Sequence, residues 1–354
     1  MVTGINDANV TRWLVDNVDG LTAPFTFDLI QGGRSNLTFR VTDGNGRRVV
    51  LRRPPTSHLL ASAHDMAREH RIISALAQTD VPVAPALGYC DDVSVNDQPF
   101  YVMDFVDGNI LRLAAEVEKL LDDQARRRAG REIIDVLVAL HSVDVDAVGL
   151  GDLGRRDGYI ERQLKRWHGQ FERSQEQEKE GGFFRPAEIV TEVHDRLAAS
   201  IPEQSGVAIA HGDYRLDNTM IGDDGRLMAV LDWELCTLGE PLADVGTLLI
   251  YWTDRADVDE TNERAARMRP ATAAEGMPTK AELATMYADA TNRDVSALSY
   301  FEAFAHWRLA CIIEGVFARY AAGAMGDQQS MGDAYAASVI QRAQTAMRVL
   351  DGEG

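Results

Sequence analysis

The chain has 354 residues, 45% of them apolar and 26% charged, enough to bury a full core as one catalytic unit of two lobes or as two domains. Acidic side chains outnumber basic ones by 55 to 36, and the net charge of −19 repels nucleic acid and anionic lipid; it serves solubility and equally suits a cationic substrate. Cys90, Cys236 and Cys311 lie far apart, no basic start precedes an apolar run, and stretches such as 245–252 fall far short of a bilayer, so a reducing cytoplasm is expected, without export, disulfides or a membrane span.

The N-terminal part reads as β-rich. Phe25 to Gln31, Asn36 to Asp43 and Arg47 to Arg53 are short β-branched or aromatic runs parted by Gly-Gly and Asp-Gly-Asn-Gly turns, as in an antiparallel meander. One helix is predicted from about Ala63 to Ala77, and strands Ala86 to Cys90 and Phe100 to Asp104 follow a Pro-containing bend. From Asn109 onward long amphipathic stretches dominate, through Leu111 to His141, Tyr159 to Gln177 and Pro186 to Ser200. Between Val207 and Leu231 two apolar runs flank Gly222-Asp223-Asp224-Gly225 as a hairpin would. Helices around Ala281 to Ala290, Tyr300 to Ala322 and Asp333 to Leu350 close the chain, while the polar segments 171–182 and 254–276 read as loops or cap elements.

The strongest chemical signal is His211-Gly212-Asp213-Tyr214-Arg215-Leu216-Asp217-Asn218, followed by Val230-Leu231-Asp232-Trp233-Glu234. Each acid ends an apolar strand, so Asp213, Asp232 and the Asn218 amide should meet at one edge. Oxygen donors gathered in that way suit Mg²⁺, a hard ion that completes its shell with water and phosphate oxygens. His-Gly-Asp by itself is a common turn and Asp-Trp-Glu alone carries nothing. Their order, the hairpin between them and the β-rich part before them carry the argument.

These motifs resemble the aminoglycoside phosphotransferase and choline kinase group, relatives of the protein kinases, with its H-G-D-x₄-N loop and later metal Asp. The resemblance implies an α+β, protein-kinase-like two-lobed fold: an antiparallel sheet plus one helix, then a mainly helical lobe with a catalytic hairpin. It also implies a nucleotide-binding lobe over 1–105 and a catalytic and substrate-binding lobe over 106–354. Asp213 would receive the hydroxyl proton, Asn218 and Asp232 would hold Mg²⁺ on ATP, and Arg215 would contact the γ-phosphate.

Further residues fit the same scheme. Glu69 shares a helix face with Met66, Ile73 and Leu76, and a carboxylate in an apolar stripe needs a partner. Alternation in Arg47 to Arg53 puts Val50 and Arg52 on one face, with Arg53 on the other. By resemblance, Val50 lines the adenine pocket, and Arg52 grips the α/β-phosphates and pairs with Glu69; Arg here replaces the usual Lys. The stretch 31–36, with Gly33 and Ser35, falls where kinases cover the phosphates, although a plain hairpin turn explains it equally well. The linker 101–108 would turn the backbone of Asp104 and Val106 to the adenine edge. Asp244 either braces the catalytic loop or serves a helix dipole. His141 reads as structural.

Phrases such as Val50-Leu51-Arg52-Arg53-Pro54-Pro55 and Ala310-Cys311-Ile312-Ile313-Glu314-Gly315-Val316 look like the kinase-like domains fused to some acyl-CoA dehydrogenases, and like their free-standing bacterial relatives. The resemblance implies an ATP-dependent phosphotransferase acting on a hydroxyl of a small molecule, with hydroxyacyl-CoA thioesters among the substrates. Antibiotic kinases and a non-catalytic nucleotide-binding module of the same fold are the alternatives. Protein kinase activity is disfavoured, since no Asp-Phe-Gly or Ala-Pro-Glu segment is present. Five basic residues within 155–168 (Arg155, Arg156, Arg162, Lys165 and Arg166) make either a solvated helix face or a cap for an anionic substrate. The sequence leaves the oligomeric state open.

Overall fold

Helix α1 (Asp7–Asn17) opens the computed structural model, which describes residues 3–30, 36–55, 65–181, 185–259, 261–321 and 329–353. The Asn6 side chain caps it by accepting the Asn9 N–H, and the i, i+4 pair Val10 and Leu14 is buried. Strands β1 (Thr26–Leu29), β2 (Leu37–Thr42) and β3 (Arg48–Arg53) follow as a meander. In the tight turn between β2 and β3, the Asp43 carboxylate accepts the backbone N–H groups of Asn45 and Arg47. Next come α2 (Met66–Leu76), β4 (Ala86–Cys90), the short α3 (Val93–Asn96) and β5 (Phe100–Asp104). The five strands form one antiparallel sheet in the order β1-β2-β3-β5-β4.

The succession of three strands, one helix and two strands is as the sequence implies, with two additions, α1 and α3. Helix α1 escapes a reading by periodicity because its apolar stripe is short, Val10 and Leu14 buried with Trp13 packed beside them. It matters to the fold: Val10 and Leu14 join Phe39, Val41, Val49, Leu51, Phe100 and Val102 in a core on the sheet face opposite Arg52. Arg53, fully buried on that side, donates to the carbonyls of Gly4 and Asn96 and pairs with Asp97 at 2.7 Å. It therefore fastens the N-terminal segment to the end of α3.

Leu111 to His141 holds two helices, α4 (Ala114–Leu120) and α5 (Asp123–His141), because Asp122 caps a new start by accepting the Ala125 N–H. Helix α6 (Tyr159–Gly181) carries the amphipathic stretch expected to Gln177 on to Gly181, so residues 171–181, expected as a loop or cap element, are helical. In that stretch Phe171, Ser174, Gln175 and Glu178 are buried, and Gln175 donates to Glu178 at 3.2 Å. After α7 (Glu188–Ala199) come β6 (Ala208–Ala210), the hairpin β7 (Thr219–Ile221) and β8 (Leu227–Val230), and β9 (Thr237–Gly239), which pairs with β6. Helices α8 (Pro241–Ile250), α9 (Glu263–Arg267), α10 (Lys280–Thr291), α11 (Leu298–Ala321) and α12 (Gln329–Leu350) complete the chain. Short helical pieces thus occupy part of 254–276.

The chain divides into two compact units. One comprises Met1–Arg112, Glu116–Leu150 and Asp217–Leu235, and so contains the five-stranded sheet, α5 and the β7–β8 hairpin. Gly225 in the hairpin turn has φ +80°, and a Cβ there would overlap the Ala125 backbone, so this position requires glycine. The other comprises Leu113–Ala115, Gly151–Leu216 and Cys236–Gly354. In it α8 and α11 pack so closely at Gly246 that a Cβ would lie 2.6 Å from the Phe301 backbone. Among the described residues no helix is long and apolar enough to cross a membrane.

Candidate active site

In the first unit the chemistry begins with strand register. Arg52 stands opposite Tyr101, and Val50 opposite Met103, on the face of the sheet away from α1. Helix α2 starts at its cap Asp65 and brings Glu69, which is 3% exposed, to the same place. Arg52 Nε lies 3.1 Å from Glu69 Oε2, and Arg52 Nη2 donates to Asp232 Oδ1 at 2.8 Å. Glu69 also accepts the Tyr101 hydroxyl at 3.0 Å and the Asn36 amide at 3.3 Å. One guanidinium therefore spans two carboxylates, which a single ammonium cannot do with the same geometry.

Burial pushes the Glu69 carboxyl above its usual range, against the pull of Arg52 and the Tyr101 hydrogen bond. Burial also works against the Arg52 charge, but Tyr101, Glu69 and Asp232 hold its pKa above the ordinary arginine value. The Tyr101 phenol is raised by burial and by Glu69, so it remains a hydrogen-bond donor.

Asn218 and Asp232 lie at the open end of the β7–β8 hairpin. Thr219 pairs with Val230, and beyond that pair the Leu231 N–H donates to the Asn218 carbonyl at 2.8 Å. Asp232 takes φ +65°, a conformation uncommon for a residue with a Cβ, directly after that last rung. Among the described residues no group of three or more His, Cys, Asp or Glu gathers as a metal cage. A carboxylate and an amide at one hairpin end instead fit Mg²⁺, which takes few protein ligands and keeps water and phosphate oxygens for the rest.

In the second unit Asp213 follows the buried strand β6, in a turn that passes through Gly212 at φ +84°. The N–H groups of His211 and Gly212 donate to the two oxygens of Asp244, at 2.6 and 2.8 Å, and Asp244 is fully buried in the first turn of α8. From α11, Arg308 donates to the Gly212 carbonyl at 2.6 Å and to the Thr247 hydroxyl at 3.1 Å. The Asp213 N–H donates to His211 Nδ1 at 3.2 Å. Hydrogen bonds to charged partners contribute about 1.5–3 kcal/mol each, so this turn is firmly fixed. Both sequence readings of Asp244 are met, since it braces the loop and also lies in the first turn of α8.

The Asp213 carboxylate itself is a quarter exposed and accepts Arg215 Nε at 3.2 Å, while the Arg215 guanidinium lies 4.7 Å from the Tyr251 ring centroid. Asp104 ends β5 with its N–H donated to Pro85, so any adenine contact from its main chain falls to the carbonyl. Val106 is half-buried in the segment that follows. Gly33 and Ser35 lie outside the described residues. Sequence reasoning missed Tyr101, Arg308 and Tyr251. Arg308 carries the signal that marked Glu69, a charge within the apolar stripe of Phe304, Trp307 and Cys311, whereas Tyr101 and Tyr251 look like ordinary core aromatics.

The chain belongs to the phosphotransferase enzyme family (APH), which it matches over residues 26–282. Acyl-CoA dehydrogenase family member 11 of Gallus gallus is 35% identical over 297 residues, covering 82% of this chain and 36% of that longer protein. A crystal structure of a Ralstonia eutropha protein of the aminoglycoside-phosphotransferase type superposes with a TM-score of 0.77 at 29% identity, covering 98% of both chains. Amicoumacin kinase hAmiN, solved in complex with AMP-PNP and Ca²⁺, shares the fold at a TM-score of 0.58 and 14% identity, over 98% of this chain and 94% of its own.

Proposed function

We propose that the protein moves the γ-phosphate of ATP to a hydroxyl of a small molecule, with Asn218 and Asp232 as the Mg²⁺ ligands. The observation that carries this reading is Arg52 spanning Glu69 and Asp232, with Asn218 at the same hairpin end, a guanidinium and oxygen donors of the kinds that MgATP needs. Arg52 would hold the α/β-phosphates, Val50 the adenine ring, and the Asp104 carbonyl and Val106 N–H the adenine edge. Gly33 and Ser35 would cover the phosphates. The metal ion, when bound, neutralises charge on the transferred phosphoryl group.

Asp213 receives the proton of the acceptor hydroxyl as its oxygen bonds to the γ-phosphorus and the bond to the ADP oxygen breaks. The Asp244 and Arg308 contacts hold this carboxylate in place, and Arg215 meets the γ-phosphate oxygens as charge spreads onto them. For the acceptor we propose a hydroxyacyl-CoA thioester, supported by the likeness to the acyl-CoA dehydrogenase family member. The direct test is transfer of label from γ-labelled ATP across hydroxyacyl-CoAs, aminoglycosides, macrolides and amino alcohols. Transfer to an antibiotic but to no thioester would replace the acceptor class. No transfer at all, with no stabilisation by MgATP, would remove the reading.

A further inference from the structure

Tyr101 is a buried residue of β5 that stands directly opposite Arg52 of β3. A buried aromatic needs no oxygen to fill its place in a sheet, and a hydroxyl taken from water must be answered by a partner. Tyr101 gives its proton to Glu69 Oε2 at 3.0 Å. That is the same oxygen that lies 3.1 Å from Arg52 Nε, while the Asn36 amide reaches the other oxygen, Oε1, at 3.3 Å. A phenol on one strand and a guanidinium on its neighbour thus converge on one carboxylate oxygen carried by α2.

The two contacts to Oε2 differ in kind. The buried Arg52 Nε–H is not aligned on Oε2, so that contact is an ion pair without a directed hydrogen bond. The directed bond of Arg52 runs instead from Nη2 to Asp232 Oδ1 at 2.8 Å. Attraction between charges depends weakly on angle, and the terminal torsion of a glutamate is broad, so the ion pair alone leaves Oε2 room to turn. The Tyr101 hydroxyl sits on a rigid ring fixed in the strand and has a direction. It determines where Oε2 stands, and therefore how strongly Glu69 holds the guanidinium back from Asp232.

We infer that Tyr101 is a positioning residue of the nucleotide site: its hydroxyl fixes Glu69 Oε2 beside Arg52 and so keeps the guanidinium between Glu69 and Asp232, ready for the phosphates. This rests on the reading of Arg52 as the phosphate-binding group. Tyr101 acts through Glu69 and Arg52. Without the hydroxyl, Arg52 is drawn further onto Asp232, the carboxylate proposed for the metal.

Tyr101→Phe removes one oxygen and keeps the ring. In this variant MgATP should bind roughly 3- to 10-fold more weakly by calorimetry, the net worth of one hydrogen bond, while adenosine, which offers Arg52 no phosphate, binds as before. In an Arg52→Ala background the same substitution should leave MgATP affinity unchanged, because the hydroxyl then has no guanidinium to place. Unchanged MgATP affinity in Tyr101→Phe, an equal loss for adenosine, or an equal loss in the Arg52→Ala background would overturn the inference, since a purely supporting role in the sheet acts on all of them alike. A second readout needs no nucleotide. The Arg52 Nε–H signal in NMR, identified by its absence in Arg52→Lys, should shift and exchange faster with water in Tyr101→Phe, and an unmoved signal overturns the proposal as well. Failure of the nucleotide reading looks different: the wild type itself binds no MgATP while the Nε–H signal still moves, and the inference then falls with that reading although Tyr101 does place Arg52.

Discussion

Arg52 is the residue on which the proposed nucleotide site turns, because Nε faces Glu69 and Nη2 faces Asp232. Arg52→Ala and Glu69→Ala should each weaken MgATP binding, and calorimetry on the double-mutant cycle should give a coupling of about 0.5–3 kcal/mol; additive losses would show that the pair does not act together. Arg52→Lys should recover only part of the affinity, since one ammonium cannot keep both contacts. Asp213→Asn retains shape but loses basicity, so single-turnover transfer should fall by about 10²–10⁴-fold while MgATP still binds, and near-normal transfer would remove Asp213 as the proton acceptor. At this scale the pairing of Glu69 with Arg52 was legible because each charge interrupts an apolar pattern, a signal that Arg308 also carries and that was not read there. Tyr101 was not legible, because its part depends on which residue of β5 stands opposite Arg52, and register is a property of the assembled sheet.

At the scale of elements, what could be read was what repeats with a clear period. The strands are short β-branched or aromatic runs that stop at turn chemistry such as that of Asp43, whereas α1 buries only Val10 and Leu14, with Trp13 packed beside them, and gains its helical form from packing on the sheet. The end of α6, where an amphipathic stretch to Gln177 overlaps a segment that also reads as loop or cap, is ambiguous for the opposite reason: its buried stripe is polar. Glu178 and Glu314 are both fully buried there, with Gln175 bonded to each and Arg185 at 2.6 Å from Glu314. Burial and the neighbouring Glu314 push the Glu178 carboxyl up to about 8. The folded protein therefore holds a proton that the unfolded chain releases near pH 4.5, so this group's contribution is complete below that pH and is lost as pH rises through about 8. Melting curves over that range should show stability declining with pH, and Glu178→Gln, which cannot ionise, should flatten the decline and raise the melting temperature at the alkaline end. An unchanged slope in Glu178→Gln would mean that another group sets the pH dependence.

For the whole molecule, the net charge of −19 bears directly on how a polyphosphate is received. In the proposed site, free ATP would approach a strongly acidic surface and then meet the Asp232 carboxylate at the hairpin end, which among the described residues is paired with Arg52. With Mg²⁺ bound as proposed, Asp232 and Asn218 would face a cation instead of phosphate, and Arg52 would keep Glu69 as its partner. A ligand that binds only the folded state adds about 2.7 kcal/mol at a hundred times its Kd, which corresponds to several degrees in Tm for a chain of this size. MgATP should thus raise Tm by several degrees, and ATP with EDTA should raise it much less. Asp232→Asn separates metal binding from phosphate binding: removing one negative charge should let metal-free ATP bind at least as well as in the wild type, while the gain from Mg²⁺ is largely lost. Equal shifts with and without metal in the wild type would mean that Asn218 and Asp232 are not ligands, and an undiminished Mg²⁺ effect in Asp232→Asn would move the metal away from this hairpin.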